Sequence, residues 1–420
     1  METIIGTEYK LKLPIKILLT FMTITSFLVA PSIQGTTIAY LFCFLSPLVV
    51  FFMSIKRAAS FYKDLFILLS VYVFLVLLSQ LSLSFSDITL FPTSKLLFID
   101  EFSQKIIFRS SLFTQSLYLV VSLIFFALTI NFYTKKWDKY FLISATILCL
   151  YGLYEWSYFL ITGQNGDFLT NRSFETGLDD SGSLFQVMHI GALNLARIKS
   201  LTGEPSMFAL SMVPFFYYAY YNKRFKLALL FIVCIILSFS TTAYIGVAVF
   251  LLAHILNPRR WVSKNYLISV YTAVLTGLIT CWIIGFSKIG DVLYDSIFAK
   301  LATDSDSTSV RTKYFFAHLD YFSELPILNK LFGIGFGYVR STDFFSTLLV
   351  NTGIIGFIVF SLLFLVPVFK LKTKTPTIRA VRLSLIFIYI SMLIAVPEFS
   401  YLSVWLFLGM AYYYLRQQRV

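Results

Sequence analysis

The sequence predicts an all-α, polytopic integral membrane protein with about twelve transmembrane helices in a single domain spanning residues 1–420, and three observations carry that prediction. The chain is 58% hydrophobic and only 13% charged, with mean hydropathy +0.80. A soluble protein of 420 residues has no interior large enough to hide that much apolar surface. Apolar runs near membrane-crossing length recur along the chain, and basic clusters fall between alternate runs.

Taken in order, the apolar runs are 14–30, 38–54, 65–85, 111–133, 140–161, 206–221, 227–239, 242–256, 265–286, 344–369, 383–396 and 399–415. Residues 227–256 are too long for one span and are interrupted by Ser238-Phe-Ser-Thr-Thr242, which predicts two short helices joined by a polar tip. Pro397-Glu398 separates the last two runs and predicts a tight hairpin. The run after the N-terminus lacks a signal-peptide cleavage pattern, so a mature membrane protein is expected.

The cations test this layout. Lys10, Lys12 and Lys16; Lys56, Arg57 and Lys63; Lys135, Lys136 and Lys139; Lys223, Arg224 and Lys226; Arg259, Arg260 and Lys264; Lys370 to Arg382; and Arg416 and Arg419 all fall on one side. Short basic loops stay in the cytoplasm, so both termini are expected there. The net charge of +13 is then mostly topology and calls for no nucleic-acid partner. The opposite face carries residues 86–110 and two large loops, 162–205 and 287–343. Loops of that length in a compact protein are functional or disordered, and their aromatic content predicts partial folding.

Both large loops carry cations against the positive-inside trend. In the first, Arg197 and Lys199 precede Gly203-Glu204-Pro205-Ser206, which reads as a helix start. Pro205 suits the first helical position, and Glu204 is placed either to cap exposed N–H groups or to serve a ligand. In the second, Arg311 and Lys313 precede the aromatic run Tyr314–Phe322, followed by Gly333-Ile-Gly-Phe-Gly337, Arg340 and Asp343. Gly333, Gly335 and Gly337 allow either close approach of backbone to a ligand or a flexible turn. Guanidinium groups match phosphate geometry, so the two clusters together predict an anionic-ligand site.

Other chemistry is weakly signalled. Cys43, Cys149, Cys234 and Cys281 lie scattered in apolar runs and read as packing residues. His254 reads as structural, whereas His189 and His318 are lone loop histidines. No zinc-protease, Cys-x-x-Cys, Ser-His-Asp or phosphate-loop pattern occurs, so no metal or cofactor is expected.

Residues 195–360 resemble the O-antigen polymerase and O-antigen ligase superfamily of membrane glycosyltransferases. Arg197-Ile-Lys-Ser-Leu-Thr-Gly-Glu-Pro-Ser-Met-Phe-Ala209 is similar to the polymerases' motif of an arginine followed by Glu-Pro-Ser, and Leu237-Ser-Phe-Ser-Thr-Thr-Ala243 to their polar tip. Ser309-Val-Arg311, Pro326, the glycine run 333–337 and Gly353-Ile-Ile-Gly356 resemble the second loop and the helix after it. Ligases carry a histidine eleven residues before that first helix glycine; here the position is Thr342, followed by Asp343, which favours polymerase over ligase.

The resemblance implies a metal-independent polymerase in the bacterial inner membrane, GT-C-like in fold, with its active site on the periplasmic face. Its substrate would be an undecaprenyl-diphosphate-linked oligosaccharide, and its partners membrane lipid, a chain-length regulator and a flippase. The growing chain would be transferred from its diphosphate to a new repeat unit. Arg197 and Arg311 would stabilise the leaving diphosphate, with Lys199, Lys313 and Arg340 in support. Asp343, Glu204 and His189, in that order, are candidates for the base that activates the acceptor hydroxyl. A ligase, or a flippase or other transporter of the same lipid, is the alternative. Transporters concentrate charge within spans, where only Glu155 lies here.

Overall fold

The computed structural model describes residues 13–31, 33–53, 55–86, 96, 98–100, 105–172, 185–190, 193–255 and 306–419. They are mostly helical. In chain order the helices are α1 (Leu13–Phe21), α2 (Ile38–Phe44), α3 (Ser46–Phe51), α4 (Ile55–Ser84), α5 (Ser110–Phe132) and α6 (Trp137–Thr162). A ribbon of β1 (Val187–Ile190) and β2 (Leu193–Ala196) follows, then α7 (Pro205–Tyr221), α8 (Phe225–Leu237) and α9 (Thr241–Ile255). The chain continues with α10 (Asp306–Glu324), α11 (Ile327–Phe332), α12 (Phe344–Lys370), α13 (Pro376–Ile394) and α14 (Leu402–Arg419). Among the described residues, α4, α5, α12 and α13 are long and apolar enough to cross a membrane, and α8 and α9 are shorter apolar helices. The chain is a helical membrane protein.

Three of the predicted runs are built differently. Residues 14–30 are not one helix, because α1 ends at Phe21. Beyond it Thr23, Thr25 and Ser26 spend their polar groups on other segments. The Thr23 amide donates to Ser144 Oγ at 3.2 Å, and the Thr25 and Ser26 amides donate to the Leu201 carbonyl at 2.9 and 3.1 Å. Residues 38–54 divide into α2 and α3, because Pro47 in the first turn of α3 has no N–H to continue α2. Helix α4 begins ten residues ahead of the apolar run and so carries Lys56, Arg57 and Lys63 within it. The predicted span 265–286 lies outside the described residues, as do 173–184 and 287–305 of the two large loops.

Helix α7 is the centre of the molecule. Every residue from Pro205 to Ala219 is buried, because α8, α9 and α13 pack around it. Helix α14 packs along α5, and α12 along α13. Helix α12 is broken at Gly353 (φ 65°, ψ −172°). A break inside an apolar helix frees carbonyls that lipid cannot satisfy. Here the glycine run satisfies them, as the Ile334 amide donates to Val350 O and the Gly335 amide to Asn351 O, each at 3.0 Å.

Polar contacts collect at the two ends of the bundle. At one end Arg416 pairs with Asp64 at 2.7 Å, and Tyr133 and Tyr218 donate to Asp138 at 2.9 and 2.6 Å. At the other end segments distant in sequence meet: Ile198 N donates to Leu237 O, Arg172 N to Ser26 O, and Phe98 bridges Val339. The residues singled out for chemistry lie at this second end.

Candidate functional site

Arg197 is the best-anchored cation of the site. It follows β2, and its amide donates to Gln186 O, so the ribbon sets its position. Its guanidinium donates Nε to Ser238 O at 3.2 Å, Nη2 to Phe239 O at 2.9 Å and Nη1 to Gln186 Oε1. The two carbonyls close the C-terminal end of α8, where a helix presents partial negative charge. Phe239 is held in the left-handed region (φ 45°), which a bulky residue avoids unless its surroundings fix it. Three of the five guanidinium N–H groups are thus engaged, and the rest are aimed by a fixed frame.

Arg311, on α10, stands close enough to act on Arg197. Burial holds the Arg197 guanidinium below its ordinary value and Arg311 pushes it the same way, while Tyr244 and Glu204 oppose them. Arg311 is half-buried and has no hydrogen bond or ion pair among the described residues. Two arginines 114 positions apart in the chain are therefore within electrostatic reach of each other, and the second has no paired acid among the described residues. That arrangement costs free energy unless an anion occupies it.

Glu204 is the N-cap residue of α7, with Pro205 following as expected, but its side chain does not cap the backbone. It accepts instead from Ser206 Oγ at 3.1 Å and acts electrostatically on both Arg197 and Arg340. Arg340 is half-exposed and paired with Glu398 in the hairpin between α13 and α14; that carboxylate raises the guanidinium above its ordinary value. Arg340, Glu398 and Arg172 line one cavity together with Tyr118 and Gly337.

Other predicted residues have structural work. Lys199 is buried against Asp167 and, at 3.7 Å, Glu155, so its charge is neutralised away from the arginines. Burial alone would raise the Asp167 carboxyl, but Lys199 and hydrogen bonds from Thr170 together hold it below the ordinary value. Asp343 caps α12: Oδ1 accepts from the Ser346 amide at 2.7 Å, and Oδ2 from the Ser341 and Ser346 hydroxyls at 2.9 and 2.6 Å. Both of its carboxylate oxygens are thus engaged at the start of α12. Lys313 is exposed on α10. The His189 backbone pairs with Asn194 in the ribbon.

The glycine run is a packing device. A Cβ at Gly333 would meet the Asn351 carbonyl, and one at Gly353 would meet that of Leu331, so backbone lies on backbone at the break in α12. A Cβ at Gly335 would enter the Tyr338 ring at 2.7 Å. Of the three, Gly337 alone lines the charged cavity.

Sequence reasoning missed Arg172, Glu398 and Arg109. Glu398 was visible as an acid in a tight hairpin, but its partner lies 58 residues away. Arg109 is buried between the rings of Phe98 and Tyr338, 5.0 and 5.7 Å from their centroids, and fastens the segment before α5 to the second loop. His318, passed over as a lone loop histidine, is fully buried. Its Nδ1 donates to Tyr314 O at 2.8 Å, and its Nε2 has no partner among the described residues. No family model, curated protein or solved structure matches the chain.

Proposed function

We propose that this protein polymerises lipid-linked oligosaccharide repeat units on the periplasmic face of a bacterial inner membrane. In this reading a twelve-span, GT-C-like protein transfers the growing glycan from undecaprenyl diphosphate to a new repeat unit, in company with a flippase and a chain-length regulator. The observation that carries the reading is the meeting of Arg197 and Arg311 without an acid paired to Arg311 among the described residues. It supports a fixed anion of more than one charge, as a diphosphate is.

In the proposed step the bond between the anomeric carbon of the growing chain and the diphosphate oxygen breaks, and the electron pair leaves with the diphosphate. The acceptor hydroxyl oxygen bonds to that carbon and releases its proton. Arg197 and Arg311 stabilise the charge that develops on the leaving group. Glu204 accepts the proton, since it is half-buried beside the arginines whereas Asp343 is committed to its helix cap.

The test is a gel of surface polysaccharide from a strain lacking the gene and restored with wild type, Arg197→Ala or Arg311→Ala. Wild type should give a polymer ladder, and each variant, at normal protein level, anchors capped with one repeat unit. A full ladder from both variants would overturn the diphosphate assignment. Uncapped anchors with polymer accumulating on its lipid would identify a ligase instead, and single units retained inside a flippase.

A further inference from the structure

We infer that His318 is a positioning residue for Arg311: as the neutral imidazole it keeps α10 seated on the start of α12, and a proton added at Nε2 releases the helix and the arginine it carries. The latch itself stands on contacts within the second loop. Only its consequence for polymer formation rests on the polymerase reading.

The first observation is how α10 is held. Arg311 and His318 are two turns apart on this helix, about 10 Å along its axis, so they share a face. Ala317 and His318 are buried there, and Phe315 stacks on Phe345 in the first turn of α12, with 6.3 Å between ring centroids. Further along the same face, Tyr321 and Phe322 pack on the cluster of Leu83, Phe98 and Tyr338. Arg311 stands near Arg197 because this face is seated.

The second observation is that the seated face has room for one form of the imidazole. Nδ1 donates to Tyr314 O at 2.8 Å, so the N–H lies there and Nε2 carries the lone pair. Nε2 is buried with no hydrogen-bond partner among the described residues, and the Tyr321 hydroxyl one turn on is in the same state. A second proton can go only to Nε2, where the new N–H finds no free acceptor. From α12 the charged group that acts on His318 is Asp343, and on α10 Arg311 and Tyr321 share its face. The Asp343 oxygens already accept from the Ser346 amide and the Ser341 and Ser346 hydroxyls, so an imidazolium would draw on that carboxylate in competition with the cap of α12. Burial holds the imidazole below its ordinary value, against the Tyr314 carbonyl and Asp343, which push it up. The seated helix therefore binds the proton more weakly than the freed one. Seating loses favour as pH falls below about 6.5, and the loss levels off below the lowered value of the seated imidazole.

The experiment measures how fast a water-soluble maleimide reaches Ala317→Cys in the full chain, in lipid vesicles, at about one pH unit above and one below the ordinary histidine value. The substitution is made in the wild-type background and beside His318→Asn or His318→Gln. Asn keeps a donor for Tyr314 O where Nδ1 stood, and neither amide takes up a proton. Each rate is divided by that of the exposed Asn165→Cys at the same pH, which cancels the ionisation of the thiol. One unit below its ordinary value a freed imidazole is protonated about ten to one, so the wild-type background should label as much as about tenfold faster at the lower pH, and the two His318 variants should not. A wild-type rate that ignores pH, or an equal rise in both variants, would overturn the latch. Polymer formation should match between wild type and His318→Asn at the higher pH and fall at the lower pH in wild type alone. Labelling that depends on His318 while polymer formation does not would overturn the positioning of Arg311. The expected labelling in a protein that makes no polymer at either pH would uphold the latch and overturn the polymerase.

Discussion

At the scale of single residues, the difference between cations that are neutralised and cations that are not is what separates structure from site. Lys199 and Arg197 are two positions apart, and Lys199 was read from sequence as a partner supporting Arg197, since spacing does not reveal what a side chain will meet. Lys199 is locked to Asp167 and Glu155. Removing one partner of such a buried group leaves charge uncompensated, so Lys199→Ala should destabilise the protein by about 3–5 kcal/mol. Detergent-extracted protein should melt at a clearly lower temperature, and expression should fall with it. The same pair sets a pH dependence. Because Asp167 titrates below its ordinary value in the folded protein, its contribution is complete above the unfolded carboxylate pKa of about 3.9 and is lost as pH falls through the lowered folded value. Wild type should thus lose thermal stability below about pH 4, and Asp167→Asn should lose less over that interval. Glu204→Gln should behave otherwise. It keeps the hydrogen bond to Ser206 and the fold, yet should reduce polymer formation by about a hundredfold or more, within the usual contribution of a general base. Normal turnover in a well-folded Glu204→Gln protein would remove it from the proton-transfer role.

At the scale of elements, the helices whose ends are set by local chemistry were legible and those ended by distant partners were not. Pro205 after Glu204 marked the start of α7, and the polar tip read at 238–242 stands at 238–240, with Thr241 and Thr242 already in α9. The end of α1 at Phe21 was hidden, because Thr23 and Thr25 look like tolerable polar residues of a span until Ser144 and Leu201 are known to face them. The glycine run was legible only in part for a related reason. Alternate glycines announce close approach without naming what approaches, and here it is the break in α12. At Gly353 the positive φ and the contact with Leu331 act together, so Gly353→Ala forces a Cβ into backbone. The cost should be about 1–3 kcal/mol of strain and displaced packing. Asn351, whose side chain accepts from Val339 N at 3.0 Å and donates to Val339 O at 2.8 Å, carries that displacement directly to Arg340. A lowered melting temperature together with reduced polymer is expected, and a variant with wild-type melting would show that α12 does not depend on its break.

At the scale of the whole molecule, the alternation of basic loops and the clustering of contacts independently group the same segments at the same end. Charge counting assigns segments 162–205 and 370–382 to opposite sides without any knowledge of the fold. The fold independently gathers the contacts of Asp167, Leu201 and Glu398 at one end, whereas Asp64, Asn222 and Thr377 meet at the other, Thr377 donating to Asn222 at 2.7 Å. Hydropathy gives no such grouping, because it orders segments along the chain and is blind to which of them touch. Labelling turns the agreement into a measurement. Asn165 and Lys374 are both exposed, one at each end, and Cys43, Cys149 and Cys234 are buried. A membrane-impermeant maleimide applied to spheroplasts should therefore label Asn165→Cys at once and Lys374→Cys only after permeabilisation, above the background of the unsubstituted chain. The reverse pattern would place the arginine centres in the cytoplasm, where a periplasmic polymerase has no substrate. Equal labelling of both positions would mean that these two ends are not separated by a bilayer.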